Sequence, residues 1–461
     1  MHFKMIRHIF SKLAMFLVLL AYTSAAMPGI VYRAAGAQAL APQPFTARDA
    51  GQFDDEVPVA WFELAYALIR QEALSPPVAA RTYGYLGVAL YEALVPGMPG
   101  YQSLAGQLND LQALPKPAGR AYHWPTVANS TLAATLRTLL NEGSSATQAA
   151  IQALEGQFNR EFEPGLPPGV YERSVARGRS IGQAILSWAA RDGYERLKDC
   201  SSLPPAGAGL WAPTPPGFKP PLLPCWGELR PFVLSHGSQC SPGPPPTYSE
   251  DPESEFYQEA WEVYRVVNYL TPEQLEIAQF WADNPGQTGT PPGHSIAILS
   301  QILIQQGASL ETAAEAYARL GIALADSFIA CWQTKYRYNL LRPITYIHNV
   351  IGDTGWNTPV VTPPFPEYTS GHSVQSGAAA QVLAGMFGEV AFTDHTHASL
   401  GYAPRTFMNF FAFAQEAAIS RLYGGIHYRA AIERGLEQGR CIGQRVNALE
   451  FKNLNPLSSL P

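Results

Sequence analysis

Apolar residues recur at three- and four-residue spacing along most of this chain, the mark of amphipathic helices rather than half-buried strands. Residues 57–69 show it first. Ser75-Pro76 reads as a cap followed by a first-turn proline, opening a helix that continues over 78–94. The spacing predicts further helices over 126–140, 145–162 and 171–190, then over 254–267, 272–282 and 295–305. A long helix is predicted from 310 to about 338, and three more over 371–387, 405–422 and 428–449. No run of alternating β-branched residues is bounded by tight-turn pairs. The chain is therefore predicted to be mainly α.

Two stretches break the pattern. Residues 203–252 dissolve into Pro and Gly, and 353–368 form a second Pro-rich loop. So long a structureless stretch is unusual inside a domain. Trp211, Trp226 and Phe232 are apolar anchors that a free linker rarely carries, so 203–252 is expected to wrap the surface. The expected organisation is one mainly α domain. Its N-terminal helical half is 45–252, and its C-terminal half, 253–455, carries the candidate chemistry.

Composition sharpens this picture. Of 461 residues 47% are hydrophobic, enough for a sizeable core, but only 15% are charged. The usual charged share is about 25%. The shortfall is taken up by 39 Gly and 40 Pro, consistent with long ordered loops. A net charge of −6 without a basic tract argues against nucleic acid as a partner. Lys4, Arg7 and Lys12 precede an apolar run over 13–22, and Ser24-Ala25-Ala26 follows. Residues 1–26 thus read as an export signal, which implies a periplasmic or secreted mature protein. No later apolar run reaches the roughly 18 residues of a spanning helix, so the protein is not expected to be membrane-embedded. Five cysteines fit an oxidising compartment. Cys225–Cys240 is the preferred pair, with Cys200 able to replace either partner, and Cys331 and Cys441 are expected as buried free thiols.

Three segments in the last third carry candidate chemistry. Lys335 is followed seven residues later by Arg342-Pro343, and at about two helical turns both cations are expected to share a face. Ser370-Gly371-His372 opens an Ala/Gly-rich helix, where free amides and the helix dipole favour an anion. Ser370 can cap the helix or donate its hydroxyl, and Gly371 allows close backbone approach. Ser420-Arg421 ends one helix, Gly424-Gly425 breaks it, and His427 stands near the start of the next. Together they supply three cations, a hydroxyl, a helix-starting Gly and two imidazoles, a set suited to a tetrahedral oxyanion. His395 and His397 could bind a metal, but a solvated loop is the simpler reading. His294 has no evident chemical role.

The order K-x6-R-P, then S-G-H, then S-R-x5-H resembles the signature of the vanadium haloperoxidase and type 2 phosphatidic acid phosphatase superfamily. The segment Phe280-Trp281-Ala282-Asp283 with Thr290-Pro291-Pro292-Gly293-His294 is similar to its bacterial haloperoxidase-like members. The resemblance implies helical bundles with long Pro-rich loops. It also implies an oxyanion, vanadate or phosphate, held by Lys335, Arg342, Ser370, Gly371 and Arg421. In a haloperoxidase, His427 would be the axial vanadium ligand, Lys335 would polarise bound peroxide and His372 would move protons. Hydrogen peroxide and halide would be the substrates. In an acid phosphatase, His427 would attack a phosphomonoester and His372 would protonate the leaving group. Phe365 and Trp332 stand where the family's chlorinating enzymes carry aromatics and could border a halide pocket. A third reading is a catalytically silent oxyanion-binding protein. Two departures stand out. Thr369 replaces the proline usual before Ser-Gly-His. Ala431 replaces an Asp that orients the last His, so that carboxylate would have to come from Glu433 or Asp283, or be absent.

Overall fold

The longest helix organises the chain. In this computed structural model, which describes residues 46–118 and 121–453, fourteen α-helices occur, twelve of them nine residues or longer. These twelve are α1 (Glu56–Gln71), α2 (Pro76–Leu94), α3 (Trp124–Leu139), α4 (Ser145–Phe162), α5 (Pro168–Ala189), α6 (Glu255–Asn268), α7 (Pro272–Phe280), α8 (Thr290–Gln306), α9 (Leu310–Tyr338), α10 (Gly371–Phe387), α11 (Phe410–Tyr423) and α12 (Arg429–Asn447). All described residues lie in one unit that begins at Thr46. The predicted export signal lies outside the described residues.

Helix α9 is built to be long. Ser309 caps it by accepting from Thr312 N, and Glu311 sits in the first turn. Lys335 and Arg337 occupy the last turn, no proline interrupts, and Asn339 ends it in the left-handed region at φ 48°. Its buried face packs along α2 on one side and α10 on the other, while α10 packs on α12 and α11, and α3 on α5. Two glycines permit the closest crossings. A Cβ on Gly87 would lie 2.4 Å from Tyr317 O, and one on Gly439 would lie 2.1 Å from Val374 O. Any side chain there would force α2 from α9, or α12 from α10.

The segment over 203–252 lies on this bundle through buried anchors. Trp211, Trp226 and Phe232 are buried. The buried Asp326 of α9 accepts from Phe232 N (2.6 Å), Val233 N (2.9 Å) and Leu234 N (3.0 Å). Removing such an acceptor strands three donors, each costing about 1–3 kcal/mol. Asp326→Ala is therefore expected to lower stability by about 3 kcal/mol or more, read as a shift of the denaturant midpoint. Cys200 pairs with Cys225, and Cys240 with Cys441, so the expected Cys225–Cys240 bond is not formed and Cys441 is not free. Cys331 is free and buried, as expected.

Two other differences are local. The helix predicted from 405 starts instead at Phe410, because Arg405–Phe407 (β2) pairs antiparallel with Phe392–Asp394 (β1). Helix α8 begins at Thr290 rather than 295, since Pro291 and Pro292 fit a first turn that needs no donors from them. No helix among the described residues is long and apolar enough to cross a membrane.

Candidate active site

Lys335 and Arg342 do not share a helical face. Helix α9 has ended before Arg342, which is extended (φ −77°, ψ 153°) and precedes a short helix at Pro343. The two converge instead on the Pro-rich loop before α10. Lys335 Nζ donates to Pro366 O (2.9 Å) and Glu367 O (2.8 Å). Arg342 Nε donates to Phe365 O (2.9 Å), and its Nη1 to Ile426 O (2.8 Å). The Phe365 ring underlies both, 5.0 Å from Lys335 Nζ and 4.9 Å from Arg342 Cζ. These contacts hold the cationic head groups in place while leaving donors unspent.

The same loop delivers the anion-type helix start. Ser370 N donates to Ala431 O (3.0 Å), and Ser370 Oγ accepts from Ser373 N (3.4 Å) to cap α10. Across from it, Arg421 lies in the last turn of α11, with Nε on Ser420 Oγ and Nη2 on Ala278 O, both 2.9 Å. The turn at Gly424-Gly425 then brings His427 Nε2 within 3.3 Å of Arg342 Nη1. The three motif segments thus meet in one buried place, with Lys335, Arg342, Ser370 and Ser420 at 0% exposure.

Electrostatics set the protonation states. Burial, reinforced by Arg342, brings Lys335 down to about 7. Burial lowers Arg342 and Arg421 to about 10 each. His427 is driven well below the usual imidazole range by burial and then by Arg342, Lys335 and Arg421, so it is neutral. Its Nδ1 lies 2.7 Å from Glu367 Oε1, which also accepts from Tyr428 N at 2.9 Å. Arg342 Nη1 can only donate, so Nε2 carries the lone pair and Nδ1–H donates to Glu367. Burial raises Glu367 to about 8 against the pull of Lys335 and Arg342. His372 is also pushed well down, by burial and then by Arg421, and its buried Nε2 has no partner.

Glu367 answers the gap at Ala431. It reaches His427 from the loop before α10, not from the helix that usually supplies the Asp. Glu433 is exposed and lies 3.6 Å from Arg429, and Asp283 faces His294 and His397, so neither expected substitute orients His427. A sequence signal existed: Glu367 is the one charged residue in the loop Pro363-Pro364-Phe365-Pro366-Glu367-Tyr368.

The family model described as VCPO second helical-bundle domain matches residues 315–455. The crystal structure of the first bacterial vanadium-dependent iodoperoxidase is similar at TM-score 0.81 and 36% identity, over 90% of this chain and 99% of that one. This chain belongs to the vanadium haloperoxidase superfamily. Apo-type and holo-type bacterial vanadium-dependent chloroperoxidases share the fold at TM-scores of 0.66 and 0.63, with 14% and 16% identity. They cover 88% and 82% of this chain, and 100% and 93% of their own chains. No curated protein matches.

The site of this superfamily member fits a vanadate-like dianion. Three buried basic side chains, Lys335, Arg342 and Arg421, surround the site with one buried carboxyl group, Glu367, so basic groups outnumber acidic ones there. Such a surplus is costly without a counter-anion. Trp332 and Phe365 pack 4.9 Å apart at the edge of the site, and a Cβ at Gly371 would meet only Trp332 Cζ3, at 4.0 Å. Trp332 Nε1 already donates to Leu222 O (3.1 Å), so the indole offers ring rather than a free donor.

A second polar cluster corrects the reading of His395 and His397. His395 is exposed, but His397 is buried, with Nε2 3.0 Å from Asp283 Oδ1. His294 is held between Asp283 (Nδ1, 2.9 Å) and Asp394 (Nε2, 2.7 Å). Burial alone would lower His294, but the two carboxylates raise it to about 10.

Proposed function

We propose that this chain is a vanadate-dependent haloperoxidase that uses hydrogen peroxide to oxidise halide, with iodide the halide best supported. One observation carries the reading: a neutral imidazole with its lone pair directed among three buried cations that have too little negative charge between them. His427 Nε2 would hold the vanadium, with Lys335, Arg342, Arg421, Ser370 Oγ and the first amides of α10 holding its oxygens. Bound vanadate supplies the electrophilic centre on which peroxide oxidises halide.

The chain's own residues do the rest. Glu367 fixes the His427 ring and tautomer by accepting a hydrogen bond from its Nδ1–H. Lys335, anchored on two carbonyls, places positive charge where negative charge develops on the oxygens. His372, neutral and with a free Nε2, takes up and returns a proton there. Trp332 and Phe365 wall off water and offer ring surface to a weakly hydrated halide. Iodide is favoured because the relative at 36% identity is an iodoperoxidase and the Trp332 indole N–H is already spent on Leu222 O rather than offered to a harder halide. Export to an oxidising compartment is part of this reading, supported by the signal-like 1–26 and by two disulfides.

The test uses protein stripped of vanadium. Added vanadate is expected to restore peroxide-dependent oxidation of iodide, followed as triiodide absorbance. Phosphomonoester hydrolysis that vanadate inhibits, without halide oxidation, would overturn the proposal.

A further inference from the structure

We propose that Asp283, His294 and His397 form a binding site for one divalent first-row metal cation, separate from the oxyanion site. The three come from unrelated segments: the turn after α7, the start of α8 and the loop after β1. One ligand atom from each lies within 4.8 Å of the others. The Asp283 carboxylate faces both rings, with Oδ2 2.9 Å from His294 Nδ1 and Oδ1 3.0 Å from His397 Nε2. Two imidazoles and a carboxylate are a donor set that suits zinc and its first-row neighbours.

The surroundings are those of a ligand set. His294 turns its other nitrogen to Asp394, and Asp394 is itself fixed by Thr396 N (2.9 Å) and Oγ1 (2.6 Å). A carboxylate behind a histidine is the usual support of a metal-bound imidazole. Trp281 stacks on His294 at 4.5 Å, and Phe280 meets His397 edge-on at 5.1 Å, so both rings are held. All four polar residues are buried, at 0–3% exposure. The two carboxylates, Asp283 and Asp394, place negative charge beside the site, which a dication would offset within the low-dielectric interior.

Access comes from one side. Asp283 and His397 line a cavity of about 550 Å³, whose wall also includes Phe280, Thr288 and Tyr402. The ion would tie these three segments together. Asp283 also acts electrostatically on Arg421 and His372, so the tie bears on the oxyanion site without joining it.

The experiment uses the full chain without a histidine tag, treated with chelator and then titrated with Co²⁺ as a spectroscopic stand-in for zinc. Visible d–d absorption is expected to saturate at about one equivalent per chain, and Zn²⁺ is expected to abolish it. Elemental analysis of untreated protein is expected to show the same stoichiometry of a first-row metal, counted apart from vanadium. His397→Ala and Asp283→Asn are expected to weaken uptake about tenfold or more. His395→Ala, two residues away and exposed, should leave it unchanged. Folded wild-type protein that takes up no Co²⁺ and carries no metal would overturn the proposal and leave a hydrogen-bonded imidazolium cluster. Uptake unaffected in a folded His397→Ala variant would overturn it equally. Should the variants fail to fold, the wild-type titration decides alone.

Discussion

His427→Ala should lose vanadate-dependent iodide oxidation by about a thousandfold or more, with the fold retained. His427 presents its Nε2 lone pair to Arg342, 3.3 Å from Nη1. Its pKa is held down by burial and by Arg342, Lys335 and Arg421, so Nε2 stays unprotonated at neutral pH. Alanine leaves the three cations in place, each anchored on a backbone carbonyl or on Ser420 Oγ. Weak oxyanion binding should therefore survive while turnover does not. The assay is steady-state iodide oxidation at saturating vanadate, with far-UV circular dichroism as the check on folding. Activity within about tenfold of wild type would remove His427 from the chemistry.

Glu367 is expected to have the next largest effect. Its Oε1 serves both His427 Nδ1 and Tyr428 N, so Glu367→Ala strands two buried donors and frees the ring to rotate. Losing such an orienting partner typically costs 10–100-fold in metal affinity or activity. Glu367→Ala should weaken vanadate binding by about that factor, and Glu367→Gln by less, since an amide oxygen can still accept from Nδ1. The ordering of the two variants is the informative readout. Equal loss in both would show that charge alone matters, and no loss in either would show that His427 needs no orienting group.

How much of this was legible in the sequence depends on how local each feature is. The bounds of α10 and the extent of α9 follow from Ser370, Gly371 and the caps at Ser309 and Asn339, which act within a few residues. Lys335, Arg342, Ser370, Arg421 and His427 could be found because their motifs end or begin helices, and such ends point into the same cleft. What failed was non-local. Glu367 supplies a carboxylate from 60 residues before His427, and only folding brings the two together. The Cys240–Cys441 bond spans 201 residues and leaves no trace in local spacing. The pairing of Thr393 with Thr406 involves strands of three residues, too short to show an alternating pattern. His397 looked like loop because its partner, Asp283, is 114 residues away.

The central claim is that a buried surplus of positive charge around His427 holds one tetrahedral oxyanion. Equilibrium dialysis of the purified chain against vanadate tests it most directly. Binding of about one vanadate per chain, displaced competitively by phosphate, is the expected result. Failure to retain vanadate, or retention that phosphate leaves untouched, would contradict it.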